Sequence, residues 1–339
     1  MRAKRRRPIV PRSLIKGLGE DIKSLVKTSE GLLLATEIID EIPRDLRPHV
    51  IDGLASFGTP EMANFLHVLK EEYGKEVESV CNRGLEKLQM KGYGGSPSAA
   101  LKKEFFRAYV TPTRHTGQVT LDVAWLNDEG LLDVECFFLS YNADGIHGFF
   151  VISELPIAEY EADRRMLPDM VRISYEEACF MIKEAYSNNI KYMTRPALGK
   201  FLYRKYLDSE SVLDSAAQSD LVRRLRFSLE PRELVNTFFF AQRYKDHNLI
   251  ASLLIPDDGI REALLHELQD LLKPAVMLVE GQAVEVKVSR GRSKVKACSI
   301  HVEDERLYRS EYSFQLVQKE RHWFISAVQR EGFRLINES

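Results

Sequence analysis

At 339 residues, 44% hydrophobic and 29% charged, the chain is long enough for two or three cores and too apolar to be disordered throughout. Its 48 Lys and Arg nearly balance 50 Asp and Glu, and the net charge of -2 excludes a global attraction to nucleic acid or anionic lipid. There is no uninterrupted apolar stretch of about 18 residues, so no membrane span is expected.

The chain opens on MRAKRRRPIVPR, six Lys and Arg in twelve residues with no apolar core behind them, which is not a secretory signal. This arm reads either as a nucleic-acid or anionic-surface contact or as a solvated, disordered tail over 1–12. The lack of interleaved aromatic residues favours the tail, and nucleic acid is not an expected partner. Cys81, Cys136, Cys179 and Cys298 form no CxxC pair, which argues against a zinc finger and for reduced thiols in a cytoplasmic protein.

SLIKGLGEDIKSLVK (13–27) predicts a first amphipathic helix. Sliding the chain by 31 residues then lays TSEGLLLATEIIDEIPRDLRPHVIDGLASFG over TPEMANFLHVLKEEYGKEVESVCNRGLEKLQ. Leu34 meets Phe65, Ile38 meets Leu69, Val50 meets Cys81 and Gly53 meets Gly84. Each unit carries the spacing of two amphipathic helices, with Thr28 and Thr59 as N-caps, Pro60 at a first helical position and a break at Pro43 or Gly74. The matched mid-helix glycines predict close helix approach. Over 28–90 this pattern, most of all FGTPEMANFL followed by KEVESVCNRGLEKL, resembles the short bacterial variety of HEAT-like helical repeats, though the usual unit is longer. The resemblance implies a protein-contact module over 13–92 and no chemistry.

MKGYGGSPS (90–98) reads as a linker. After it the period becomes two: FFRAYVTP, GQVTLDVAWL, LLDVECFFLSYN and GIHGFFVIS predict an antiparallel β-meander in a central domain over 99–207. Ser174-Tyr175-Glu176-Glu177 is a capping box for a helix to about Ser187, with Ala178, Ile182 and Ala185 facing the sheet. A further helix is expected over Pro196 to Leu207. Glu129, Asp133, Glu135 and Asp144 could ligate a divalent cation, but turn solubility explains them as well and no metal is assigned. His115 and His147 in nearby turns read as surface histidines.

DSESVLDSAAQSD (208–220) marks a second boundary by its small polar residues. Beyond it Pro231 opens a helix with Leu234, Val235, Phe238, Phe239 and Ala241 buried, and IREALLHELQDLL follows Asp257-Asp258-Gly259. AVMLVEG, AVEVKVS, KVKACSIHV, YRSEYSFQLVQ and HWFISAVQ predict five strands. Helices before a long antiparallel sheet make an α+β domain over 221–336. With ELVNTFFFAQRYKDHNLIASLL at its front and EYSFQLVQKERHWFISAVQ at its back, 229–336 resembles the nuclear transport factor two-like superfamily. That resemblance implies a cone-shaped sheet wrapped around a helix, with room for a small apolar ligand. It also implies either isomerase or dehydratase chemistry or non-catalytic binding and dimerisation.

If such a cavity were catalytic, its acid and base would come from Tyr244, Asp246, His247, His266, His301, Tyr312 and His322. Asp246 also reads as a helix cap, and Trp323 and Phe324 as core. No P-loop, GxGxxG, GxSxG, HExxH or EF-hand spacing occurs, and no catalytic, cofactor or metal residue is assigned outright. The expected fold class is a multi-domain α+β chain. The expected role is a non-enzymatic, intracellular scaffold that contacts a protein partner or a second copy of itself, or holds a small ligand. The alternatives are a small-molecule isomerase or dehydratase and a nucleic-acid contact through the basic arm.

Overall fold

The structure, a computed structural model, describes residues 11–93, 103–167, 169–269, 273 and 276–336. The basic arm before Pro11 and most of the glycine-rich linker lie outside the described residues; Arg12, expected in the tail, begins a helix.

Five helices come first: α1 (Arg12–Leu25), α2 (Ser29–Glu41), α3 (Arg47–Leu54), α4 (Pro60–Tyr73) and α5 (Glu78–Met90). The Thr28 and Thr59 side chains accept from Gly31 N and Met62 N at 3.1 and 3.3 Å, so both units start on a satisfied N-cap. The equivalent glycines are points of close approach. A Cβ on Gly53 would come within 2.7 Å of Ile15, and one on Gly84 within 2.8 Å of Ala55. Ile39, Ile51, Phe65, Leu69 and Cys81 form the common core.

The central sheet holds β1 (Glu104–Val110), β2 (Gln118–Leu126), β3 (Leu131–Ser140), β4 (Ile146–Pro156) and the short β5 (Val171–Ile173). Its order is β4-β3-β2-β1-β5, and every pair is antiparallel. The meander was legible in the alternation; β5 and α6 (Ile157–Met166) were not expected. Leu121, Val123, Phe137 and Phe149 face the helices α7 (Tyr175–Tyr192) and α8 (Lys200–Leu207). Ala124, Val134 and Cys136 pack on the other face with Tyr160 of α6. The capping box at Ser174 is present, and α7 runs on past Ser187 to Tyr192.

The polar segment before 221 is a joint rather than a free linker. Asp214 caps α9 (Ser215–Arg224) by accepting from Ala217 N at 2.8 Å. Its Leu221 packs into the central core and its Val222 into the C-terminal core. Local capping and two buried residues outweigh the loop-like composition.

The last unit packs α10 (Pro231–Tyr244), α11 (His247–Leu253) and α12 (Asp258–Glu267) against β6 (Met277–Ser289), β7 (Arg292–Glu303), β8 (Arg306–Lys319) and β9 (His322–Leu335), an antiparallel sheet in that order. The two strands expected from AVMLVEG and AVEVKVS are one strand, β6, whose register shifts at Leu278/Glu280 and at Ala283/Glu285. Gly281 is not a turn residue; a Cβ there would lie 2.4 Å from Phe239 of α10.

The space between α10 and the sheet is filled by rings, with Phe238 5.3 Å from Phe314 and Phe239 6.1 Å from Tyr312. The expected apolar ligand would have to part them. The described residues thus form twelve α-helices and two antiparallel sheets, a mixed α+β structure. No helix among them is long and apolar enough to cross a membrane.

Candidate functional site

The C-terminal residues that could have built an acid–base site do not converge. Tyr244 ends α10, where its carbonyl accepts from Lys191 Nζ at 3.2 Å. His247 and His266 are exposed. His301 is buried in a cross-strand stack, His301–Tyr308–Phe333, at one end of the sheet; burial and then Arg330 hold its pKa down. Tyr312, Trp323 and Phe324 belong to the core. His322 is half-buried at the start of β9. Among the described residues, no hydrogen bond joins two of these candidates.

The acidic candidates disperse as well. Asp133 pairs with Lys103, and Glu135 accepts from Lys205 Nζ at 2.7 Å and from Tyr206 Oη at 2.5 Å. Glu129 and Asp144 are exposed in separate turns. No group of three metal-ligating side chains occurs among the described residues. His147 is exposed beside the ring of Phe138.

Among the C-terminal candidates it is Asp246 that lies in a built polar site, at the junction of the central and C-terminal units. The segment TPTRHTG forms a 3-10 turn over Arg114–Thr116 that closes on Gly117 at φ 81°, a conformation suited to glycine. Arg114 N donates to Leu225 O at 2.8 Å, which ties the turn to the end of α9. Its side chain is 1% exposed. Nη1 meets Asp246 Oδ2 at 2.5 Å, Nη2 lies 3.4 Å from the Glu184 carboxylate of α7, and Cζ stands 3.4 Å over the Tyr141 ring.

Both acids are anchored further. Asp246 Oδ1 accepts from Leu249 N at 2.9 Å as the cap of α11, and Glu184 accepts from Asn248 Nδ2 at 2.9 Å. Burial alone would lower the Arg114 pKa, but Asp246 and then Glu184 outweigh it and hold the cation firmly charged. Burial raises the Glu184 pKa against the pull of Arg114. This cluster can clamp two units together. It offers no free base, because the carboxylates are spent on Arg114, a cap and an amide.

A second buried arginine enters the same junction. Arg226 follows Leu225, forms a backbone bridge with Thr113 and is 4% exposed. Its Nη2 donates to Ser252 O at 3.1 Å, whereas Nε and Nη1 have no acceptor. The Phe324 ring lies 5.6 Å from its Cζ. Burial, then Arg223, lowers its pKa to about 10. Burial and then Arg226 also depress the pKa of His115, whose buried Nδ1 lacks a partner; Glu233 of α10 pulls weakly the other way. His322 is held down by burial, Arg226 and Arg223, against Glu320. Ser252 and Arg223 also line a cavity of about 160 Å³ with Ser219, Arg261 and Asp220, the ion-pair partner of Arg223.

Two surfaces differ in kind. On the central sheet Phe138, Phe150 and Ile152 are 39, 41 and 40% exposed, with the two rings 6.0 Å apart above Gly148. On the C-terminal sheet, exposed apolar side chains such as Val284, Val288 and Phe333 stand among charged pairs, Lys294 with Glu331 at 3.7 Å and Lys296 with Glu285 at 3.8 Å.

No family model and no curated protein matches the chain. Among solved structures it is similar to a SEC-C motif-containing protein from Rhodopseudomonas palustris, at 16% identity over 36% of this chain and 94% of that one, with a TM-score of 0.29. It is also similar to a cystatin-like protein from Ruminococcus gnavus, at 11% identity over 95% of this chain and 94% of that one, with a TM-score of 0.20. Likenesses this slight carry neither a fold nor a role. The HEAT-like and nuclear transport factor two-like resemblances stand as expectations.

Arg114, Tyr141, Glu184 and Arg226 were not among the residues the sequence singled out. The usable signal was the arginine inside the turn TPTRHTG, since a turn residue that points inward must bring a counter-charge with it.

Proposed function

We propose that this chain is a non-catalytic protein-contact protein whose docking face is the uncovered strip of the central sheet at Phe138, Phe150 and Ile152. The observation that carries this reading is the adjacency of three large, exposed apolar side chains on β3 and β4, on a face whose neighbouring part is covered by α6. Water is held against such a patch at a free-energy cost that an apolar partner surface removes. The HEAT-like reading of the first helices adds a second contact module beside it. Arg195 pairs with Asp40 at 2.7 Å, and Glu72 accepts from backbone N–H groups at the start of α8, so that module rests on the central unit.

Two observations favour contact over chemistry. The candidate acids and bases lie apart, and Asp246 and Glu184 are both engaged by Arg114. Dimerisation through the outer face of the C-terminal sheet is the weaker form of this proposal, because there exposed apolar residues are interspersed with ion pairs. A reducing, cytoplasmic setting suits the cysteines: Cys81 is buried and its thiol is pushed up to about 12 by burial, which makes it inert.

The test is site-specific photo-cross-linking in cells. A photoreactive phenylalanine at Phe150 is expected to trap one discrete protein partner, and the same group at exposed Gln315 to trap none. Equal labelling at both positions, or none at Phe150, contradicts the proposal.

A further inference from the structure

Arg226 is a buried guanidinium, 4% exposed, with no carboxylate bonded to it and two of its nitrogens without an acceptor. A guanidinium stays charged at any ordinary pH, so it cannot escape burial by losing its proton as a lysine does. Its basic neighbours are Arg223, which is itself paired with Asp220, and His115 and His322, which are able to become cationic. The nearby acids, Glu233 of α10 and Glu320 of the β8–β9 turn, act on the two histidines rather than on Arg226. Two guanidinium donors and one histidine nitrogen are therefore buried together with nothing to bond. Buried donors of this strength are kept where an acceptor joins them.

We propose that Arg226, flanked by His115 and His322, seats a small oxyanion, the phosphate or carboxylate group of a ligand. The idle Nε and Nη1 supply charge-assisted hydrogen bonds, and the buried nitrogen of His115 supplies another when it carries a proton. Ser252 fixes the guanidinium through its carbonyl, so the donors are held in place before the anion arrives. A cavity lined by Ser252, Arg223, Asp220 and Arg261 shares Ser252 with this site, although Arg226, His115 and His322 do not line it. This site is independent of the contact face on the central sheet.

The experiment is calorimetry on the full chain with inorganic phosphate, sulfate and acetate, each against chloride at equal ionic strength. Saturable binding of phosphate and sulfate assigns a tetrahedral anion; binding of acetate in preference assigns a carboxylate. Arg226→Met removes both charge-assisted contacts of the guanidinium and is expected to weaken that binding about tenfold or more. A second readout needs no variant: the bound anion offsets the charge of Arg226, so the pKa values of His115 and His322 rise when followed by NMR. No saturable binding of any of the three anions, unchanged affinity in Arg226→Met, or unshifted histidines in wild type overturns the assignment.

Discussion

Arg114 and Arg226 come from segments bridged to each other, and both bury their guanidinium groups at one junction, yet their surroundings are opposite. Arg114 meets two carboxylates and an aromatic ring, and each carboxylate has a further bond of its own. Arg226 meets one carbonyl, a ring and three basic neighbours. Burial alone therefore does not separate a structural ion from one prepared for a ligand. The difference lies in whether the protein supplies the counter-charge itself.

The comparison breaks first at Arg114. Arg114→Met leaves Asp246 and Glu184 buried without their cation, and the stability lost is expected to be about 3–5 kcal/mol by urea denaturation. A loss below about 1 kcal/mol would mean that the clamp is no stronger than a surface pair. Next in size is the response to anion. At a hundredfold excess of phosphate over its Kd, wild type gains about 2.7 kcal/mol, and the tenfold weaker site of Arg226→Met gains about 1.4 kcal/mol or less. In chloride alone, Arg226→Met is expected to be about 1–2 kcal/mol more stable than wild type, because an apolar side chain replaces an uncompensated buried charge.

A distant control sharpens the contrast. Thr59→Ala removes the cap of α4 and costs about 1 kcal/mol, with the anion response intact. The smallest effect is on pH dependence. His115 and His322 have folded pKa values below their ordinary one, so on acidification the unfolded chain takes up their protons first. Their stability contribution is full above a pH of about 6.5 and falls as pH drops through the folded values. Phosphate should flatten that fall, since it raises both folded values; chloride should not.

What could be read along the chain was local. Thr28, Thr59, Pro60, Ser174 and Pro231 signal helix starts through bonds made within a few residues, and each stands where expected. Asp246 was legible as a cap for the same reason. The junction was not, because Arg114 meets Glu184 and Asp246 at separations of 70 and 132 residues, and nothing in a single sequence couples such positions. Gly281 shows the converse error. The reading of AVMLVEG and AVEVKVS as two strands broke the chain after Gly281, but the missing side chain there makes room for Phe239 from another element. The same limit hid the filled interior, since the rings that occupy it come from α10 and β8 together.

The most direct measurement compares the urea midpoints of Arg114→Met and Arg226→Met with wild type, side by side in chloride buffer free of oxyanions. Movement in opposite directions, down for the first and level or up for the second, is the expected result. A comparable loss in both variants would contradict it, for Arg226 would then be a structural ion like its neighbour.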